Sequence, residues 1–340
     1  MRALWYLKPG ELEWRDVPEP EPNGPDAAIV RPLAVATCDL DGPIVRGEVP
    51  APGPFPVGHE FVAEVVAVGE SVTSVAAGDR VSVPFQISCG QCARCRAGLT
   101  ADCRSVPAGS AYGMGPLSDG LRWAGAVADL VGVPYADAMC VPLPAGLDPA
   151  ALAGLSDNLV DGWRTVGPYL GAATEPRVLV FGRGSIGLYA TAIAAALGAE
   201  VSYVDPDPDR CRIAELVGAS VFHEPPKERY RAHPLVVHTA GTPDALRAAI
   251  ASTTSSGVCV DTGIIFDNET PLPLFNMYVK GITLVTGRAH ARPAMPKVLD
   301  LVTGGRLDLA PMVRATAPWS DAVDAWAGHT GRLALVRDPI

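Results

Sequence analysis

Val178-Leu-Val-Phe-Gly182-Arg-Gly184-Ser-Ile-Gly187 passes from an apolar, β-branched run into three glycines spaced G-x-G-x-x-G, and an Ala-rich stretch follows to about Leu197. The run predicts a strand and the alanines a helix, so the glycines fall at a strand-to-helix turn. There each has a physical reason. Gly182 makes the tight turn, Gly184 lets the backbone approach a pyrophosphate, and Gly187 lets the helix pack on the strand, with Ser185 and Ile186 opening the helix. The helix N-terminus then offers N–H groups to phosphate oxygens.

The surrounding chain supports this reading. Asp205 closes the next strand, Glu200-Val-Ser-Tyr-Val-Asp, 18 residues beyond Gly187. A carboxylate there is expected to accept hydrogen bonds from the adenosine ribose and repel a 2′-phosphate, which favours NAD over NADP. Asp207 and Asp209 add negative charge. His233-Pro-Leu-Val-Val-His, Gly257-Val-Cys-Val-Asp and Gly281-Ile-Thr-Leu-Val-Thr repeat the strand theme, with a helix predicted from Thr242 to Ile250. Strands alternating with helices over 151–290 predict an α/β, doubly wound parallel sheet. Residues 1–150 read differently, as short β-branched runs punctuated by Gly and Pro. After about 290 the pattern predicts helices over Met295–Thr303 and Trp319–Ala327 and a strand from Leu333.

Within the β-rich part, Cys89, Cys92, Cys95 and Cys103 have the spacing C-x2-C-x2-C-x7-C. Short spacers wrap three sulfurs around one ion and the longer one returns the fourth. Four thiolates leave no open position, so the expected site is a closed, structural zinc. An iron–sulfur site, disulfides and unrelated thiols are the other readings.

With 48% hydrophobic and 19% charged residues, the 340-residue chain can bury a large core and predicts about two domains. A net charge of −10 argues against nucleic acid or an anionic membrane as partner. The longest uncharged apolar stretch, 184–199, is too short to span a membrane, and no signal sequence is recognisable, so a soluble cytoplasmic protein is expected.

Cys38, in Ala36-Thr-Cys-Asp-Leu-Asp41, and His59, in Pro56-Val-Gly-His-Glu-Phe, could take two positions on a second zinc, although a lone Cys and a lone His are more often packing residues. Gly58-His59-Glu60 followed by Gly69 and Val72, a cysteine ahead of it, the four-cysteine lobe behind it and the glycine turn further on resemble the zinc-dependent medium-chain alcohol dehydrogenases over essentially the whole chain.

That resemblance implies a β-rich GroES-like catalytic domain over 1–150, carrying the lobe at 89–103 and completed by 291–340, and a Rossmann NAD-binding domain over 151–290. It implies two zincs per chain: a catalytic one held by Cys38, His59 and Asp157, with Glu60 beside it, and the structural one. Asp157, in Leu155-Ser-Asp, is similar to the aspartate of the formaldehyde-dehydrogenase-like branch; a helix N-terminal acid is its bland reading, and Asp161 is the next candidate ligand. Asp41 is expected to accept the second N–H of His59. Arg210 is implied to contact the ribose, and Thr239-Ala240, Gly263-Ile264 and Val285-Thr286 to face the nicotinamide. Leu40 stands where many relatives have a proton-relaying hydroxyl, which leaves Thr37, Asp39, Glu60 or water for that task. Ala63 stands where the signature usually has Gly.

The implied activity is hydride transfer between NAD and an alcohol, with a lean to secondary or polyhydroxylated alcohols, in a homo-oligomer (dimer or tetramer) pairing through 281–286. A formaldehyde or aldehyde dehydrogenase or dismutase, a zinc-independent reductase, and a non-catalytic binding protein on the same scaffold are the alternatives. Trp123, Trp163, Phe55 and Arg46 are candidate pocket residues, and Arg288 and His290 candidate phosphate contacts.

Overall fold

The computed structural model describes residues 1–115, 123–171, 175–224, 232–267 and 269–337, so the last three residues of the expected 291–340 segment lie outside the described residues. The chain forms two compact units. One comprises Met1–Val160, His290–Leu299 and Val313–Ile340, and the other Asp161–Ala289 and Asp300–Met312.

The first unit thus extends beyond the change of pattern near residue 150. Its linking turns, Pro149–Leu152 and Ala153–Ser156, bury Ala150 and Ala153 against Ala36 and Ala334 of its sheet. The returning C-terminal segment is also divided. Asp300–Met312 belongs to the second unit, where the Arg306 guanidinium donates to the Ala196 carbonyl at 3.0 Å.

In the first unit the strands Ala315–Pro318, Leu333–Val336, Ala28–Ala36, Glu60–Val68, Arg80–Val83 and Val141–Pro142 lie side by side in that order, with Val131–Val133 also paired to Ala28–Ala36. A smaller sheet orders Glu11–Asp16, Arg2–Lys8 and Phe55–Pro56. The register slips between Pro32 and Ala34. Proline has no N–H to give the ladder, so a bulge there is expected. Beyond the slip, Ala36 pairs with Glu60. In an antiparallel pair this register brings the residues that follow Ala36 beside those that precede Glu60, which places Cys38 and His59 together.

The second unit is the predicted parallel sheet. Its order is Ser220–Phe222, Glu200–Val204, Arg177–Phe181, His233–His238, Thr253–Asp261 and Thr283–Thr286, with every neighbouring pair parallel. The chain starts in the middle, winds to one edge, and returns to the centre to wind to the other. That leaves a topological switch point beside Arg177–Phe181. Val178, Leu179 and Val180 are all buried, as a strand covered on both faces requires. The short edge strand Ser220–Phe222 and the helices Pro208–Leu216 and Leu274–Lys280 were not anticipated from the sequence. Among the described residues no helix is long and apolar enough to cross a membrane.

Candidate metal and dinucleotide sites

Cys38, His59, Glu60 and Asp157 each place a ligand atom within 4.8 Å of all the others. Local folding explains how. Gly58 has φ +92°, and a Cβ there would lie 2.8 Å from Val127 Cγ2, so only glycine lets the chain turn into His59 at this point. Asp157 is set by its neighbour. The buried Ser156 hydroxyl accepts the Phe61 N–H at 3.0 Å and donates to the Phe61 carbonyl at 3.0 Å, which staples the turn carrying Asp157 to the strand that begins at Glu60.

The donors crowd one another. His59 Nε2 lies 3.5 Å from Asp157 Oδ2. Burial pulls the His59 imidazole down, but the adjacent Asp157 carboxylate and the Asp41 and Glu60 charges outweigh it and push it up to about 9. Burial and the surrounding carboxylates push the Cys38 thiol well above its ordinary value. Burial raises Glu60 to about 8 against the pull of Arg332, whose guanidinium donates to Glu60 Oε2. Both His59 nitrogens and Glu60 Oε1 are buried with no well-formed hydrogen bond among the described residues. Orphaned buried polar atoms are costly. The donor set fits a metal ion, which would relieve the crowded negative charge and take up the free nitrogen valence of His59. Thiolate, imidazole and carboxylate suit zinc, and a Cys−/His/Asp− set balances its two charges.

The expected wiring of Asp41 is corrected. Its Oδ2 accepts the Cys38 N–H at 2.7 Å, and His59 Nδ1 donates no hydrogen bond to it. Asp41 therefore shapes the loop that carries Cys38 and acts on His59 only through its charge. Asp161 is not part of the cluster, because its carboxylate takes Arg164 and Thr262. Three participants had not been anticipated. Arg332 pairs with Glu60, Asn158 Oδ1 lies 3.7 Å from Cys38 Sγ, and the Phe85 ring centroid lies 5.9 Å from that of His59. Only Asn158, adjacent to Asp157, carried any sequence signal.

Cys89, Cys92, Cys95 and Cys103 form the second cluster with metal-binding geometry. Backbone N–H groups turn toward the sulfurs. Cys92 N donates to Cys89 Sγ at 3.3 Å and Cys89 N to Cys103 Sγ at 3.4 Å, and the Ser105 hydroxyl donates to Cys89 Sγ at 3.2 Å. The Arg104 and Cys95 N–H groups draw the Cys92 thiol down to about 6. Such donors stabilise thiolates and fit a closed zinc site. His290, expected near phosphate or solvent, instead accepts the Ala101 N–H of this lobe on Nδ1 at 3.1 Å.

In the second unit the glycine turn joins Arg177–Phe181 to the helix Gly184–Ala196. Gly184 has φ +72°, and a Cβ on Gly187 would lie 2.7 Å from Thr239 Oγ1, so the turn requires its glycines. Thr239 is not simply a wall. Its hydroxyl donates to the Phe181 carbonyl at 3.0 Å and accepts the Arg183 N–H at 3.1 Å, which pins the turn from the next strand. A glycine cradle open to a helix N-terminus fits a dinucleotide pyrophosphate. Asp205 ends its strand with no exposure and is held by Arg210, Tyr203 and the Asp207 N–H. Gly263 N donates to Asp261 Oδ1 at 3.1 Å, Ile264 is 53% exposed, and Thr286 ends the edge strand. Of the pocket candidates, Phe55 packs against Tyr6 in the core, and the exposed Arg46 pairs with Glu48.

Residues 24–145 match the alcohol dehydrogenase GroES-like domain, and residues 185–304 match the zinc-binding dehydrogenase domain. The chain is 31% identical over 359 residues to an L-threonine 3-dehydrogenase of Streptomyces avermitilis, covering 98% of this chain and 99% of that protein. It is 35% identical over 234 residues to a glutathione-independent formaldehyde dehydrogenase of Pseudomonas aeruginosa, covering 65% of this chain and 58% of that one. Its fold is similar to that of a solved alcohol dehydrogenase from Thermus sp. ATN1, with a TM-score of 0.89 at 28% identity over 99% of this chain and 100% of the other.

Proposed function

Because the chain belongs to the zinc-dependent medium-chain alcohol dehydrogenase family, we propose that it oxidises an alcohol to its carbonyl compound, reversibly, with NAD as the hydride acceptor. Cys38, His59 and Asp157 would hold one zinc, and Cys89, Cys92, Cys95 and Cys103 a second. The observation that carries the reading is the first cluster: Cys38, His59 and Asp157 converge with Glu60, and among the described residues both nitrogens of the buried histidine have no well-formed hydrogen bond.

Zinc supplies Lewis acidity toward the alcohol oxygen, and NAD supplies the hydride acceptor. The protein does the rest. Cys38, His59 and Asp157 would hold that metal, with Glu60 beside them. Ser156 and Gly58 hold Asp157 and His59 in place, and the Arg332 guanidinium holds Glu60 through its Oε2. Leu40 packs on the core and cannot carry a proton. The Thr37 hydroxyl is committed to Leu333, accepting its N–H at 3.0 Å. Of the relay candidates this leaves Asp39, which is exposed, Glu60 and water.

An NADH-coupled screen of alcohols, polyols and aldehydes on metal-replete protein tests the reading. Turnover of secondary or polyhydroxylated alcohols is expected, and failure across the panel with zinc and NAD bound would reduce the chain to a binding protein. Asp157 and the likeness to a formaldehyde dehydrogenase favour aldehyde oxidation or dismutation as the second reading. Under dismutation, NADH does not appear in step with product.

We also propose a homo-oligomer in the cytoplasm. The edge strand Thr283–Thr286 adjoins the helix Leu274–Lys280, whose Leu274, Phe275, Tyr278 and Val279 are exposed. A row of apolar side chains beside a strand that, among the described residues, is the sheet's edge suits a second copy.

A further inference from the structure

Cys38 and Cys89 each offer a sulfur to a cluster with metal-binding geometry, and the chain treats the two sulfurs differently. Cys89 Sγ accepts the Cys92 N–H at 3.3 Å, the Gln91 N–H at 3.4 Å and the Ser105 hydroxyl at 3.2 Å, and Cys103 Sγ accepts the Cys89 N–H at 3.4 Å. Among the described residues nothing donates to Cys38 Sγ. Its hydrogen bond runs the other way, from the thiol to Asn158 Oδ1 at 3.7 Å. The other members of its cluster, His59, Glu60 and Asp157, offer ligand atoms of their own.

Asn158 directly follows Asp157 and opens the helix Asn158–Leu170. It is 1% exposed, and its Nδ2 has no partner among the described residues. A buried N–H without an acceptor is costly. The arrangement suits a thiol, because the S–H meets an oxygen that accepts it. It does not suit a metal ligand. A cysteine binds metal as the thiolate, and its proton leaves to water as the sulfur takes the ion. The amide oxygen then faces an anion with no proton between them. Half a turn about Cβ–Cγ exchanges Oδ1 and Nδ2 in nearly the same volume and brings the unpartnered N–H onto the sulfur. Either way one end of the amide faces sulfur and the other has no partner, so the charge on the sulfur decides between the two orientations.

We propose that Asn158 is a positioning residue for the first metal cluster, and that with metal bound its side-chain amide turns to donate from Nδ2 to the Cys38 thiolate. That sulfur then receives from a side chain the support that Cys89 and Cys103 receive largely from the backbone. A hydrogen bond to an ionised acceptor is one of the stronger kind, and it steadies the thiolate on the ion. It also draws electron density from the sulfur, which leaves the metal more Lewis acidity for the substrate oxygen. In this role Asn158 acts through Cys38. The inference rests on Cys38 being a ligand of a metal at this cluster.

Protein carrying cobalt(II) at the Cys38 cluster and zinc in the cysteine lobe tests it without turnover. The readouts are the sulfur-to-cobalt charge-transfer band and cobalt affinity in competition with a chelator. Asn158→Leu is similar in shape but has no N–H. Its band is expected at longer wavelength than that of wild type, because a thiolate without a donor gives up its electron more readily. Its affinity is expected to fall about 10–100-fold, as when other groups that hold a metal ligand are removed. Asn158→Asp keeps the shape and puts only acceptors beside the sulfur. It is expected to weaken binding at least as far, and it carries the test if Asn158→Leu does not fold. An unmoved band with unchanged affinity in Asn158→Leu overturns the proposal. So does tighter binding by that variant, which would show that the amide oxygen still faces the thiolate, and so does wild-type affinity in Asn158→Asp. A wild-type protein that takes up no cobalt at the cluster, or shows no charge-transfer band there, overturns the reading of Cys38 as a ligand, and is distinct from each of these results.

Discussion

Arg332 and Glu60, separated by 272 positions in the chain, form a buried ion pair inside the first unit, with side-chain exposures of 7% and 0%. The Arg332 guanidinium also donates to the Thr37 carbonyl at 3.2 Å, one residue before Cys38. One side chain thus braces both chain segments that carry Cys38 and His59.

Replacing Arg332 with Met leaves a buried carboxylate without its cation. Breaking such a pair from one side costs about 3–5 kcal/mol. Denaturant unfolding should show a loss of that size in Arg332→Met. Glu60→Gln with Arg332→Met should recover part of it, and equal stability of the two variants would show that the pair carries no such weight.

Metal content should separate the two clusters. Asp157→Ala is expected to fall from two zincs per chain to one by elemental analysis, and to lose more than about 100-fold in kcat/KM, because a direct ligand is worth more than the outer partners that tune it. Cys103→Ser is expected to lose the other zinc and to unfold at lower temperature. Two zincs retained in Asp157→Ala would remove it from the ligand set.

Ser156→Ala keeps every zinc donor and deletes the staple to Phe61. Two buried hydrogen bonds are lost, a cost of about 1–3 kcal/mol. Zinc affinity at the Asp157 cluster should fall while the cysteine lobe stays filled. Unchanged affinity and stability would mean that the helix starting at Asn158 places Asp157 unaided.

Asp137 belongs to neither metal cluster and gives a pH signature of its own. N–H and hydroxyl donors from Ser74 and Thr73 hold its carboxyl down at about 2, below the ordinary 3.8. With the folded value depressed, its contribution is fully present above the unfolded value and disappears as pH falls through the folded one. The stability gap between wild type and Asp137→Asn should therefore be constant above about pH 5 and close between about pH 4 and 2. The group is exposed, so the gap is modest. A gap independent of pH would assign the contacts no preference for the ionised form.

Phe275→Asp and Tyr278→Asp place charge among the exposed apolar side chains of Leu274–Lys280. Sedimentation should show a smaller species than wild type with the fold intact. An unchanged sedimentation coefficient would move any subunit contact elsewhere.

Chemistry held in short sequence windows is legible in the chain alone. The cysteine lobe lies within 15 residues, 89–103, and the glycine turn within six, 182–187, so spacing alone restricts what they can bind. Cys38, His59 and Asp157 are legible only through resemblance, because nothing local ties a cysteine to a histidine 21 residues on and an aspartate 98 beyond that. Arg332 and the Ser156 staple are not legible at all: both depend on strand register, and register follows from packing over the whole sheet. The position of Asp205 is readable from the sequence but its wiring is not. Tyr203, two residues earlier, has the pattern of an ordinary alternating strand residue, and only the folded chain shows its hydroxyl reaching forward to the carboxylate.

The first unit draws on chain from both sides of the second: His290 reaches back to Ala101, Ala291 N–H to Gln86, and Arg332 to Glu60. During synthesis, then, the earlier segment emerges with its cysteine lobe unclasped and Glu60 without a counter-ion, and must wait while the whole nucleotide-type sheet is translated. The two units are interleaved in synthesis, since Asp300–Met312 of the second emerges between the two returning segments of the first, His290–Leu299 and Val313–Ile340.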